Sequence, residues 1–298
     1  MANINSSKDD QKKILIFGVG LSGRAAFRKL NQVNENKIIG FIDNSFSANE
    51  KIFFNKIVYS PIQIASIDFD LIVISGRDIN EIQDQLLNDL KIPMDKILLL
   101  SRSDLAIPGD VKNNKERAII NILKKLTNEM SANNIDYWMD FSALLALHRD
   151  EDFSDFSDVD IAINSLDSAN MIFKIMSKQK ENYNIYKTLI DEKLNYANVG
   201  DIKQICIEST VDLEKEEPAI IDIHVKFFHE NKYKCPVGKF TFFTPASYLE
   251  GYEVIAYKDI LLNIPLNSQE YLELIYGKNW KIPVENWKAG DYGNILDE

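Results

Sequence analysis

Short aliphatic runs separated by polar turns mark the first third of the chain. Lys13-Ile14-Leu15-Ile16-Phe17 is apolar at each position after the lysine, which predicts a strand buried on both faces. It runs into Gly18-Val19-Gly20-Leu21-Ser22-Gly23 and then a helical stretch from Arg24 to Val33. Ile38-Ile39-Gly40-Phe41-Ile42 follows as a second strand and ends at Asp43. Asp70 to Ile74, before Ser75-Gly76-Arg77, and Lys96 to Leu100 read as further strands, with a helix from Asn80 to Leu90 between them. Ser103 to Asn114 carries Pro108, Gly109 and two asparagines and reads as the joint. Beyond it, Ile119, Ile122, Leu123, Leu126 and Met130 recur at helical spacing within Lys115 to Ala132, a core-packing helix.

The second half changes rhythm. Tyr137 to Met139 is a short strand, and Ser142 to Arg149 a helix with Leu144, Leu145 and Leu147 inward. Glu151 to Ser157 is an acidic loop. Asp158-Val159-Asp160-Ile161-Ala162-Ile163 then alternates acid with aliphatic, so both carboxylates share one face of a strand. Pro218 to Val225 is another strand, with Asp222 among aliphatics. The expected fold is α/β: a Rossmann-like parallel-sheet domain over residues 12–106, then an α+β domain of nucleotidyltransferase fold over 107–298. Residues 1–11 are expected to be a disordered tail.

Composition narrows the function. A length of 298 residues suits about two domains. A formal charge of −11 argues against broad nucleic-acid binding, which needs a basic footprint. Two isolated cysteines, Cys206 and Cys235, make neither a disulfide framework nor a zinc site. No apolar run is long enough to cross a bilayer, and Met1 to Lys13 lacks the apolar stretch of a secretory signal. The expected location is the cytoplasm, including the inner face of the membrane. Apolar helices outside an α/β sheet suit pairing with a second copy, so a homo-oligomer is an expectation left open.

Candidate chemistry gathers at two places. In the first domain, strand, tight turn, helix, strand and acid form the context in which G-x-G-x-x-G cradles a diphosphate. Gly18, Gly20 and Gly23 would admit the ligand backbone-close, and Asp43 could accept from a ribose hydroxyl. Gly18 and Gly23 equally serve turn geometry and helix packing with nothing bound. In the second domain, acids crowded on one strand repel unless a cation sits between them, and hard oxygen ligands favour Mg²⁺ or Mn²⁺. A small residue at a helix start, acid-x-acid on a strand and a lone acid on a neighbouring strand are how the nucleotidyltransferase fold builds its metal site.

Asp140 to Asp160 resembles the LicD/fukutin-type phosphotransferase family, whose pattern is roughly D-x-G-T-L-L-G-x-x-R followed by an acidic loop ending D-D-[IV]-D. Asp140, Leu144, Leu145 and Arg149 match, Phe153 matches a loop aromatic, and Ser157-Asp158-Val159-Asp160 matches the end. Ser142, Ala143 and Ala146 stand for Gly, Thr and Gly, and Ser157 for the first acid. Tyr271-Leu272 through Tyr276-Gly277, Trp280 and Pro283 resemble the family's closing Y-L-x-x-x-Y-G-x-x-W-x-x-P element. Residues Ile14 to Asp43 resemble the nucleotide-sugar or CoA-binding-like N-terminal domains of polysaccharide-biosynthesis proteins.

The resemblance implies transfer of a phospho-substituent, such as phosphocholine, a phosphoalditol or a phosphosugar, from a CDP-type donor. The acceptor would be a glycan or lipid-linked glycan hydroxyl in surface polysaccharide assembly, in capsule or lipopolysaccharide. Asp158, Asp160 and Asp222 would hold the metal, with Asp222 alternatively the base. Ser142 and Arg149 would meet phosphate, and Asp140 and His224 the substrate. The plainer readings are that Asp140 caps a helix, Arg149 makes a surface salt bridge, His224 is a hydrogen-bonded core residue, and Tyr276 and Trp280 are packing anchors. Gly277 reads as a turn or helix cap and Glu214-Lys215-Glu216-Glu217 as a solvated loop. Three other functions compete: a nucleotidyltransferase moving NMP from an NTP to a small molecule or protein, a degenerate scaffold that senses a nucleotide sugar, and a dehydrogenase using the glycine loop. The last is disfavoured, because the short first domain supplies no Tyr-x-x-x-Lys or comparable catalytic pair after the glycine loop.

Overall fold

The computed structural model describes residues 11–296 except 32, 34, 45–50, 76–78, 102, 106–108, 180, 214, 285, 286 and 288. All of the expected tail but residue 11, the Gly76-Arg77 turn and Pro108 of the joint therefore lie outside the described residues. The chain divides into two compact units. The first comprises residues 1–109 with 212–215, the second 110–211 with 216–298.

The first unit is a Rossmann-like sheet. Its elements are β1 (Lys12–Phe17), α1 (Leu21–Asn31), β2 (Asn36–Ile42), β3 (Lys51–Phe53), β4 (Lys56–Tyr59), β5 (Leu71–Ser75), α2 (Ile79–Asp84) and β6 (Ile97–Leu100). The sheet order is β3-β4-β2-β1-β5-β6. All neighbours run parallel except the β3–β4 hairpin. The aliphatic run of β1 is buried throughout because each sheet face carries its own core: Ile14 and Ile16 pack with Phe27 and Phe41, Leu15 and Phe17 with Ile72 and Ile74. α1 starts at Leu21, three residues before the expected start at Arg24. The turn needs no longer linker, because Gly18 takes φ +98° and Gly23 sits against it; a Cβ on Gly23 would lie 2.0 Å from the Gly18 carbonyl oxygen.

α3 (Gly109–Ala132) begins inside the segment read as a joint, so residues 109–114 are already helical. Its apolar stripe enters the core of the second unit as expected, but Lys115 and Glu116 are buried with it. The second unit continues through β7 (Trp138–Met139), α4 (Phe141–Arg149), β8 (Val159–Ile163), α5 (Leu166–Met176), β9 (Tyr183–Leu189), β10 (Ile202–Ser209) and β11 (Ile220–Val225). It closes with β12 (Phe227–His229), β13 (Lys232–Val237), β14 (Phe240–Pro245), β15 (Tyr252–Tyr257), β16 (Ile260–Pro265), α6 (Ser268–Tyr276) and β17 (Ile295–Leu296).

The central sheet of this unit has the order β7-β8-β11-β10-β9, with β8 and β11 parallel and the other pairs antiparallel. A second sheet runs β12-β13-β14-β17, and β15–β16 forms a separate hairpin. Ile161, Ile163, Ile221, Ile223 and Val225 face one large core with α3, α4, α5 and α6. Gly277 ends α6 with φ +80°, as the sequence suggests. Glu217 departs from the solvated-loop reading: it is buried, because it lies just ahead of β11 where Ala219 is already in the core. Among the described residues, no helix is long and apolar enough to cross a membrane.

Candidate active site

Asp160 sits at the centre of β8 and is paired in parallel register with Asp222 of β11. Register partners on neighbouring strands project to the same side about 4.8 Å apart. Asp158 immediately precedes β8, two residues before Asp160 and on the same face. The three acids thus converge on the sheet face opposite the aliphatic core. His224 follows on that face beside Asp222, with its ring nitrogen Nε2 3.1 Å from Asp160 Oδ1.

The electrostatics of this face are those of too many carboxylates and too little water. Burial first, then the charges of Asp160 and Asp222, push Asp158 up to about 6. Asp222 is also raised, again chiefly by burial, with Asp160 adding to it and His224 opposing. His224 is fully buried, which disfavours its charge, yet the Asp160 hydrogen bond and the surrounding carboxylates outweigh burial and raise it. Cys206, the β10 partner of Asp222, has its thiol raised by burial and by that carboxylate.

Ser142 lies in the first turn of α4. Its hydroxyl donates to Asp160 Oδ2 at 2.7 Å and its backbone N–H points at the same oxygen at 3.3 Å. Both oxygens of Asp160 therefore meet protein donors. Among the described residues, no group of three or more His, Cys, Asp or Glu is already arranged to hold a metal. The donor chemistry nonetheless fits a hard divalent cation. Asp222 Oδ1 is buried with no hydrogen-bond partner, and Asp158 and Asp222 are both raised chiefly by burial and further by neighbouring carboxylates.

Two residues assigned to substrate are committed elsewhere. Asp140 occupies the N-cap position of α4 but makes no side-chain cap bond. Its carboxylate is 1% exposed, 2.6 Å from Lys226 Nζ, and accepts from the Tyr271 hydroxyl at 3.0 Å. Arg149 lies seven residues beyond Ser142, about 10 Å along the helix. Its guanidinium Nη2 donates to the carbonyls of Trp280 and Ile282, fastening the C-terminal segment. His224 is buried and hydrogen-bonded to Asp160 on the face of the acids. Tyr276 packs against Trp287 and Tyr292, and Trp280 is buried. Lys226 was not legible as a site residue; two residues after His224, it looks like the polar end of a strand.

The first unit holds its glycine turn as expected. Gly20 has open space around it, and the Val19 N–H donates to Asp43 Oδ2 at 3.2 Å. Asp43 thus already serves the turn itself, apart from any ribose.

The family described as C2185-like, N-terminal, matches residues 10–98, the span of the first unit's sheet. No curated protein matches the chain. Several solved structures share a loose likeness. The lincosamide antibiotic adenylyltransferase LnuA, lincomycin-bound, is 14% identical over 50% of this chain and 82% of its own, with a TM-score of 0.32. ANT(2")-Ia in complex with adenylyl-2"-tobramycin is 13% identical over 48% of this chain and 68% of its own, with a TM-score of 0.29.

Buried contacts also fix the loop that carries Asp158. Glu116 of α3 accepts from the Ser154 N–H at 2.8 Å and from the Tyr257 hydroxyl. The same hydroxyl accepts from the Phe153 N–H at 2.9 Å. Lys115 Nζ donates to the Phe156 carbonyl at 2.5 Å. The backbone groups at 154 and 156 are held from α3 and that at 153 from Tyr257 of β15, while Lys112 and Lys258 pair with the loop acids Asp152 and Asp155.

Proposed function

We propose that the second unit transfers a nucleoside monophosphate from an NTP to a hydroxyl of a small molecule, with a divalent cation held by Asp158, Asp160 and Asp222. The observation that carries this reading is the register of β8 and β11, which puts Asp160 beside Asp222 with Asp158 on the same face. The cation, when bound, supplies the charge that neutralises the donor's phosphate oxygens. The acceptor oxygen forms a bond to the α-phosphorus, the bond to pyrophosphate breaks, and the acceptor's proton passes to a carboxylate. Asp222, whose Oδ1 has no hydrogen-bond partner, is the third ligand of the cation or, alternatively, the carboxylate that receives that proton. Ser142, in the first turn of α4, gives its amide and hydroxyl to Asp160 and so orients that carboxylate.

Transfer of a phospho-substituent from a CDP-linked donor uses the same carboxylates and is the second reading. It rests on the residue pattern Asp140 to Asp160 and Tyr271 to Pro283. Against it, Arg149 and Asp140, which that pattern assigns to donor and substrate, are occupied by Trp280, Ile282, Lys226 and Tyr271.

Product analysis separates the two. The protein is incubated with Mg²⁺, each NTP or CDP-choline, and a panel of polyols and sugars, and products are read by mass spectrometry. Pyrophosphate with an NMP-modified acceptor is expected. CMP with a phosphocholine-modified acceptor supports the second reading instead. Asp160→Asn is expected to lower either turnover at least a thousandfold while the circular dichroism spectrum is kept; undiminished metal-dependent turnover in that variant refutes the assignment.

A further inference from the structure

Four buried polar side chains from four parts of the second unit meet under the start of α4. Lys226 Nζ lies 2.6 Å from Asp140 Oδ2 and donates to Thr244 Oγ1 at 2.8 Å and to the Tyr271 hydroxyl oxygen at 2.9 Å. The Tyr271 hydroxyl in turn donates to Asp140 Oδ1 at 3.0 Å, and Thr244 bonds Tyr271 at 2.9 Å. None of the four is more than 1% exposed. Burial disfavours the Lys226 charge, but Asp140 more than offsets this and keeps it protonated.

What this cluster adjoins gives it meaning. The Asp140 N–H donates to the Asp160 carbonyl at 3.0 Å. The next residue, Phe141, has φ +39°, a left-handed backbone that strains a bulky side chain. Its ring lies 5.4 Å from Lys226 Nζ and edge-on to His224 at 5.9 Å. After it, Ser142 grips the Asp160 carboxylate by amide and hydroxyl. A buried ion pair is a poor way to stabilise a core, since apolar residues of equal volume commonly do as well or better. One that anchors a strained turn, whose far end orients an acid of the site, serves geometry.

We propose that Asp140, Lys226 and Tyr271 are positioning residues that hold the strained Phe141 turn and so fix Ser142 and the Asp160 carboxylate for the cation and the donor phosphate. The inference rests on the reading of Asp158, Asp160 and Asp222 as a divalent-metal site. Without the clamp, Phe141 relaxes toward ordinary helix or strand angles, Ser142 withdraws, and Asp160 turns away from its neighbours.

The test is the charge-free double variant Asp140→Asn with Lys226→Met, since Lys226→Met alone strands a buried carboxylate. Amide hydrogen exchange is read in the metal-free protein, and Mn²⁺ affinity by titration calorimetry. At the Ser142 amide exchange is expected to quicken at least tenfold while Ile161 in β8 is unchanged, and Mn²⁺ is expected to bind at least tenfold more weakly. Tyr271→Phe, which keeps the ion pair, is expected to move both about threefold in the same direction, and carries the test alone if the double variant does not fold. Unchanged Ser142 exchange in the folded variants overturns the positioning role. A wild-type protein that binds no Mn²⁺ overturns the metal reading instead, and the exchange measurement then decides the positioning role by itself.

Discussion

At the scale of single residues, the site is governed by carboxylates that resist ionisation. Asp158 is held near 6 by burial and by Asp160 and Asp222, so in the metal-free protein its proton is lost only as pH rises through that value. The sign for metal follows directly. A divalent cation binds the ionised carboxylate, so it must displace that proton below pH 6 and need not above it. Mn²⁺ affinity is therefore expected to rise about tenfold or more between pH 5 and pH 7 and to level off above pH 7.5. Calorimetry in buffers of different ionisation enthalpy checks this, with proton release seen at pH 5.5 and absent at pH 8. The sign for stability is opposite. A carboxyl whose folded value is raised stabilises the fold most fully below its unfolded value near 3.8, and that contribution is lost as pH rises to about 6. Asp158→Asn is accordingly expected to raise the metal-free melting temperature at pH 8, to leave it unchanged below pH 4, and to remove the Mg²⁺-dependent rise in wild type; differential scanning fluorimetry reads all three.

At the scale of elements, two helices show how side chains near the chemistry are spent on structure. Arg149 ends α4 and donates to the Trp280 and Ile282 carbonyls, so it ties the C-terminal segment to the helix that begins at the site. Arg149→Ala leaves those carbonyls without their charged donor and is expected to cost ~1–3 kcal/mol in urea unfolding, with KM for the nucleotide unchanged. A phosphate-binding arginine would show the reverse, a large KM effect and little loss of stability. In the first unit, α1 starts at once after its turn because Gly23 fits against Gly18. Gly23→Ala forces a methyl into that contact and is expected to destabilise the unit by ~1–3 kcal/mol or more. Gly20→Ala meets nothing within 4 Å and is expected to change stability by less than ~1 kcal/mol. Equal effects from the two substitutions would show that the turn is not packed as described.

At the scale of the whole molecule, each unit buries its own apolar cores. A cation with nucleotide is expected to stabilise the second unit alone, by mass action. Calorimetry of the full chain with Mg²⁺ and NTP is thus expected to move one transition and leave the other, and Gly23→Ala to lower only the one that ligand does not move. A single transition that follows both perturbations would show that the units unfold together. The first unit includes residues 212–215, and Arg28 donates to the Leu213 carbonyl at 3.0 Å. A cut near residue 109 therefore removes part of the first unit's own surroundings, which is why these measurements call for the intact chain.

The aliphatic runs of β1, β2, β5, β6, β8 and β11 were legible without coordinates, because consecutive aliphatics, or acid alternating with aliphatic, are a local signal, which β6 keeps although Leu98 and Leu99 are exposed. The strands from β9 to β10 and from β12 to β16 were not read. Polar residues break the alternation in β9, β13 and β14, β12 is only three residues long, and the partners are set by antiparallel pairing across turns. The acids at 158, 160 and 222 could be named from sequence, and their alignment on one face follows once β8 lies beside β11. What the other polar residues do was decided only in three dimensions. Asp140 and Arg149 have the residue types of ligand-binding groups, but each finds its partner 131 residues away, Asp140 in Tyr271 and Arg149 in Trp280. Lys226 carries no local sign of being the buried counter-charge to Asp140. Strand periodicity is a short-range property of the chain, whereas the pairing of a buried charge depends on which distant segments share its low-dielectric pocket, and that is specified only when the whole unit is assembled.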